Sequence, residues 1–213
     1  MIRTVSEEKH TGMRILHISD THGLHGQLVL PEADVIVHSG DFTFGGSIGE
    51  TRHFLKWFCG LPYEHKIFIA GNHDMCLYGI ENMGKLPGNV HYLCNSGVEI
   101  DGIRFYGVPM FMEHVMDGTM DRMINAIPMD TDVLVTHQPP RGYCDTWHDR
   151  HCGDRLLRQK VDSIPGLKLH LFGHQHGANG EATDGGKLFC NSAVLDSHYN
   201  MVADGHVVTI HPQ

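Results

Sequence analysis

Short apolar runs recur along the chain, each closing on a polar cluster. Arg14–Ser19, Asp34–Ser39, Lys66–Ala70, Asp132–Thr136 and Leu167–Phe172 are dominated by Ile, Val, Leu and Phe. They are too short for helices and too continuously apolar for a sheet with one wet face, so they predict strands buried on both sides. Between them, Ile48–Cys59 with Ser47 as cap, Met120–Ile127 and Asp154–Ser163 space their apolar groups as helices do. Strand, loop, helix, strand is the pattern of an α/β protein. Other segments predict antiparallel pairing. Val90–Leu93, Val98–Ile100 and Ile103–Tyr106 read as a meander turning at Asp101-Gly102, and Leu188–Asn191, Tyr199–Ala203 and His206–Ile210 as a ribbon around Asp204-Gly205. The sheet content is therefore mixed, and two mixed sheets packed face to face with helices outside would bury runs such as Asp34–Ser39. No repeat, linker or low-complexity tract divides the chain. Residues 13–213 are expected to form a single domain, with the polar residues 1–12 as a flexible N-terminal extension.

Composition narrows the function classes. Among 213 residues, 16 are basic and 25 acidic, for a net charge of −9 with histidine neutral. That balance lacks the basic footprint of general nucleic-acid binding. Six cysteines, at positions 59, 76, 94, 144, 152 and 190, never form a Cys-x-x-Cys pair. They read as free thiols of a reducing, cytoplasmic setting rather than a disulfide scaffold or a thiolate zinc module. No stretch has the ~18 consecutive apolar residues of a membrane span, and the first dozen lack the apolar core of a signal peptide. If the chain associates, a two-fold homodimer is the default.

The chemistry-bearing residues lie at the C-terminal ends of the apolar runs, where the loops of α/β folds gather ligands. Five ends supply Asp20 and His22; Asp41; Asn72 and His73; His137; and His174 and His176. With a period of two, Asp20 and His22, or His174 and His176, would point the same way in an extended chain. Carboxylate, imidazole and amide oxygen together suit Mn, Fe, Zn or Mg, with Mn favoured. More than six donors exceed the needs of one ion, so the count implies two divalent metal ions, with Asp41 as the candidate bridge. Such a pair polarises a phosphoryl oxygen and lowers the pKa of a bridging water to give a hydroxide nucleophile, which points to phosphoester hydrolysis.

Taken in order, Asp20-Thr21-His22, Gly40-Asp41, Gly71-Asn72-His73-Asp74, Thr136-His137 and Gly173-His174-Gln175-His176 resemble the calcineurin-like metallophosphoesterase superfamily over residues 14–177. The resemblance implies a four-layer αββα sandwich. It assigns one metal to Asp20, His22, Asp41 and His176, and the other to Asp41, Asn72, His137 and His174. It gives His73 the role of the catalytic acid that protonates the leaving oxygen. Gly40-Asp41 runs into Phe42-Thr43-Phe44, without the arginine-bearing motif of the protein serine/threonine phosphatases. Phe105–Pro109, Thr136–Tyr143 and Leu167–His174 instead resemble metallophosphoesterase-domain proteins related to class III cyclic nucleotide phosphodiesterases. Gln138 and the loop 110–121 depart from that pattern where substrate would be chosen.

Asp74, Arg141, Tyr143 and Phe111 are further candidates for substrate contact or support. Arginine can fork onto phosphate and tyrosine can stack on a base, although an ordinary turn explains Arg141 and Tyr143 equally well. His17, His38 and His170 lie inside strand runs and read as hydrogen-bonded core histidines. The expected partner is a small phosphoester, possible nucleotides included, with a diester favoured over a monoester. The alternatives are a metal-free protein-interaction scaffold on the same fold, or a nuclease. The latter would call for a capping domain and a basic surface.

Overall fold

The structure, a computed structural model, describes residues 12–211. All but the last residue of the expected N-terminal extension therefore lie outside the described residues. In chain order the strands are β1 (Met13–Ile18), β2 (Val35–His38), β3 (His65–Phe68), β4 (Val90–Tyr92), β5 (Ser96–Ile100), β6 (Ile103–Val108), β7 (Val133–Thr136), β8 (Thr146–Trp147), β9 (Arg150–His151), β10 (Leu169–Phe172), β11 (Gly180–Asp184), β12 (Lys187–Asn191) and β13 (His206–Ile210). The α-helices are α1 (Ile48–Cys59), α2 (Met112–Met116), α3 (Thr119–Asn125) and α4 (Arg155–Ser163).

One sheet has the order β13-β1-β2-β3-β4 and the other β11-β12-β10-β7-β6-β5. In each the central strands are parallel and antiparallel neighbours close an edge. Three apolar clusters define the layers. Ile15, Val37 and Ile67 of the first sheet meet Val135, Leu169 and Leu171 of the second between the sheets. Ile36 and Phe68 pack outward against Phe54 and Phe58 of α1, and Leu134 and Phe172 against Ile124 of α3 and Leu157 of α4. Helix, sheet, sheet, helix is the expected αββα sandwich. Each fully buried Phe contributes roughly 1.5–3 kcal/mol through lost apolar exposure. Ser47 and Glu50 form a reciprocal capping box that starts α1 where its sequence predicted. Glu50 also accepts the backbone N–H of Phe44 and of Gly45, both at 2.9 Å, fixing the loop after β2.

Two pairing expectations fail. β4 does not join a meander but runs parallel to β3 in the first sheet; only β5 and β6 form the hairpin at Asp101-Gly102, where φ is 48° and 77°. Tyr199–Ala203 is not a strand, and β12 and β13 enter different sheets: β12 turns from β11 at Gly185-Gly186, and β13 lies along β1. Apolar alternation specifies a strand locally, whereas its partner is chosen by which sheet edge can bury its face. The core histidines are as expected. His17 Nε2 meets Ser39 Oγ at 2.8 Å, His38 Nε2 meets Thr21 Oγ1 at 3.0 Å, and His170 Nε2 meets Thr136 Oγ1 at 2.9 Å. Among the described residues no helix is long and apolar enough to cross a membrane.

Candidate metal centre

The strand ends do not continue as extended chain. Asp20, His22, Asp41 and His174 adopt φ of 56°, 41°, 57° and 67°, a left-handed conformation uncommon for residues with a side chain. The convergence of Asp20 with His22, and of His174 with His176, therefore comes from tight reversals rather than from strand alternation. The reversals are held by backbone bonds between neighbouring loops. Asp20 N–H donates to the Gly40 carbonyl and His22 N–H to the Asp41 carbonyl, both at 3.0 Å. Asp74, fully buried, accepts from Asp41 N–H (2.8 Å), Gly71 N–H (2.9 Å), Thr43 N–H (2.9 Å) and Thr43 Oγ1 (2.8 Å). It welds the loop after β3 to the loop after β2. Burial and the nearby Asp41 carboxylate push Asp74 up to about 7, against the pull of these donors.

At these strand ends, among the described residues, three trios bring ligand-type atoms within 4.8 Å of one another: Asp20, His22 and His176; His22, Asp41 and His73; and Asp41, His137 and His174. Asp41 Oδ2 lies 3.8 Å from His22 Nε2 and 3.3 Å from His137 Nε2, and Asp20 Oδ1 lies 3.4 Å from His176 Nε2. Asn72 Oδ1 completes the group 3.1 Å from His137 Nε2. The outer nitrogens of three rings are engaged: Nδ1–H of His22 donates to the Thr43 carbonyl (3.0 Å), that of His137 to Ser39 (2.9 Å) and that of His176 to Asp196 (3.0 Å). Such bonds fix ring orientation and turn Nε2 inward, as in metal-ligating histidines. The Nε2 atoms of His22 and His176 then face each other at 3.3 Å, an approach that needs positive charge beside them.

Charge compensation follows the same lines. Burial opposes it, but the hydrogen bond from His176 and the charges of His137 and His176 hold Asp20 well below the usual carboxylate range. Burial likewise works against a proton on His137, yet Asp41 raises that imidazole to about 10. Burial and the neighbouring His137 charge lower His174 to about 4. Hard and borderline donors, inward nitrogens and buried carboxylates fit divalent cations with N and O ligands.

Two glycines of the motifs are steric requirements. A Cβ on Gly71 would collide with Asp41 Oδ1, and one on Gly173 with Asp20 Oδ2 and Ser19 Oγ. The chain must pass this close for carboxylates of one loop to meet ligands of the next.

The pocket over the cluster is lined by Asp41, Asn72, His73, His174 and His176, together with Trp147, Ser197 and Tyr199. His73 donates Nδ1–H to the Phe44 carbonyl at 2.9 Å, and its backbone N–H to Asp41 Oδ1 at 2.7 Å. Three candidate substrate contacts lie elsewhere. Tyr143 stacks on Phe189 at 3.8 Å under Arg158, with its hydroxyl on Asp184, in the outer layer of the second sheet. Arg141 donates to the His151 carbonyl at 2.7 Å, and Phe111 is buried in the outer layer of the first sheet. Asp74 acts from behind, through the loops it joins. Trp147, Ser197 and Tyr199 were not anticipated. Trp147 falls inside the 138–152 loop that follows His137, but Tyr199 carried the pattern of a strand and gave no separate signal.

The family profile for calcineurin-like phosphoesterases matches residues 13–178, and the chain belongs to that family. It is 36% identical to UPF0046 protein C25E10.12 of Caenorhabditis elegans over 86% of this chain and 76% of that one. It is also 31% identical to human metallophosphoesterase domain-containing protein 1, over 89% and 68% of the two chains. A 3',5'-cyclic-nucleotide phosphodiesterase of Nostoc is 26% identical over 68% of this chain and 57% of that one. The crystal structure of TT1561 of Thermus thermophilus superposes with a TM-score of 0.59 at 12% identity, covering 95% of this chain and all of that one, and so shares the fold.

Proposed function

We propose that the protein is a dinuclear metal-dependent phosphoesterase acting on small phosphodiesters, with monoesters a lesser substrate class. The observation that carries this reading is the meeting of Asp41 with His22 and His137 while the outer nitrogen of each ring is tied to a carbonyl. Asp20, His22, Asp41 and His176 would hold one ion and Asp41, Asn72, His137 and His174 the other, with Asp41 shared. Two divalent ions supply electrophilic assistance to a phosphoryl group and lower the pKa of water towards neutrality. The chain's own part is to orient and to protonate. The Phe44 carbonyl accepts Nδ1–H of His73 and fixes the ring, so that Nε2 is the atom that would deliver a proton to the departing oxygen. Asp74 keeps Asp41 and the His73 loop in register. The activity named for the Nostoc relative supports a diester, and the −9 charge favours a small anion over a long polyanion. Six free cysteines support a reducing, cytoplasmic setting.

Metal analysis of protein purified without chelator, followed by depletion and Mn reconstitution, tests the reading. About two ions per chain are expected, with turnover of bis(4-nitrophenyl) phosphate only in the loaded protein and exceeding that of 4-nitrophenyl phosphate. Less than one ion per chain and no turnover on reconstitution would instead favour a protein-interaction scaffold.

A further inference from the structure

The outer wall of the pocket is aromatic. Trp147 and Tyr199 both line it, with 42% and 41% of their surface exposed, and Phe44 lies 5.4 Å from Tyr199 between ring centroids. Neither lining ring has a place in the hydrophobic clusters of the sandwich. Trp147 sits on the β8–β9 hairpin, whose residues are all exposed and whose turn places His148 and Asp149 at φ of 45° and 62°. Packing does not explain a tryptophan there.

Tyr199 is held with comparable specificity. Its backbone is left-handed, at φ 62°. Its N–H donates to the Asp196 carbonyl at 2.9 Å, and the Asp196 carboxylate accepts the N–H of His198 and of Asn200. The same Asp196 carbonyl receives Nδ1–H of His176. These bonds set the tyrosine ring roughly perpendicular to those of His22 (5.1 Å between centroids) and His176 (5.5 Å), beside the cluster and lining the pocket. An unfavourable backbone that persists because its surroundings over-determine it is a mark of a functional position.

We propose that Trp147 and Tyr199 form an aromatic slot that selects phosphoesters bearing a planar aromatic substituent. The inference rests on the reading of this pocket as a phosphoester site. The polar floor of Asn72, His73 and His174 takes the phosphoryl group, and the two exposed rings offer stacking faces to the organic group beyond it. A planar ring gains on the order of tenfold in binding from one such face. An alkyl substituent has no π-face to stack and gains less.

Two substrates that release the same 4-nitrophenolate isolate the effect: bis(4-nitrophenyl) phosphate and methyl 4-nitrophenyl phosphate differ only in the retained ester. In the Mn-loaded full chain, Trp147→Ala should reduce the aryl-to-methyl ratio of kcat/KM about tenfold, chiefly through KM, and Trp147→Phe should restore most of it. A ratio equal to wild type in both Trp147→Ala and Tyr199→Ala overturns the proposal. Binding supplies a readout without turnover. The chain has two tryptophans, so Trp57→Phe leaves Trp147 as the only indole. Titrated into that Mn-loaded protein, phenylphosphonate should perturb the emission with a half-saturation about tenfold lower than methylphosphonate; equal values overturn the slot. Tight phenylphosphonate binding by a protein that hydrolyses neither diester would defeat the hydrolase reading and leave the slot standing.

Discussion

Asp41 Oδ2 lies 3.3 Å from His137 Nε2, the carboxylate arriving from the end of β2 in one sheet and the imidazole from the end of β7 in the other. The two sheets are thus joined at the cluster by a polar pair as well as by the apolar layer behind it. Asp41→Asn keeps the shape and removes the charge. Turnover is expected to fall by more than ~100-fold, since partners that merely orient a ligand already cost 10–100-fold. Bound metal should drop to one ion or fewer. Elemental analysis beside steady-state kinetics measures both, and full occupancy with normal turnover would sink the shared-ligand assignment.

His73 contacts the pocket but is supported by a carbonyl rather than by the carboxylates' oxygens at its ring. His73→Ala should leave metal content intact. Turnover of an alkyl diester should fall by roughly 10²–10⁴, the range for loss of a general acid, and that of a 4-nitrophenyl ester far less because its leaving oxygen needs no proton. Equal losses on the two substrates would remove His73 from that role.

Asp74→Ala strands the N–H groups of Gly71, Asp41 and Thr43 in a buried place, while the Thr43 hydroxyl keeps the His73 carbonyl as acceptor. Each orphaned group costs ~1–3 kcal/mol unless water replaces the carboxylate. A loss of at least ~2 kcal/mol by urea denaturation is expected, together with weaker metal retention. Unchanged stability would mean that the loops hold their register without Asp74.

Burial lowers His170 to about 3 from the ordinary 6.5, and its Nδ1 has no partner. Below pH 6.5 the unfolded chain takes a proton on this side chain that the folded chain refuses. Its contribution is therefore fully present above pH 6.5 and is lost as pH falls from there towards 3, at up to ~1.4 kcal/mol per pH unit. His170→Gln retains an N–H for Thr136 and removes the titration. Urea melts between pH 7 and 4.5 should show a shallower decline in the variant, and identical slopes would contradict the buried neutral state.

Sequence alone determined what local physics controls. The length and apolarity of the runs identified β1, β2, β3, β7 and β10; Ser47 and Glu50 set the start of α1; and Asp101-Gly102 marked its hairpin. It also brought Asp20, His22, Asp41, Asn72, His73, His137, His174 and His176 to strand ends, because parallel strands deliver their C-terminal ends to one side. Tertiary structure decided what depends on distant partners. β4 and β13 went to the first sheet because its edges could bury them, and the candidate ligand side chains converged through left-handed reversals rather than strand alternation. Tyr143 turned to Phe189 and Arg158 instead of the pocket, while Trp147 and Tyr199 took its wall. An aromatic residue in a loop carries no periodicity that states its direction. Only the packing of the loops after β7 and β12 against the motif loops fixes which rings the site receives.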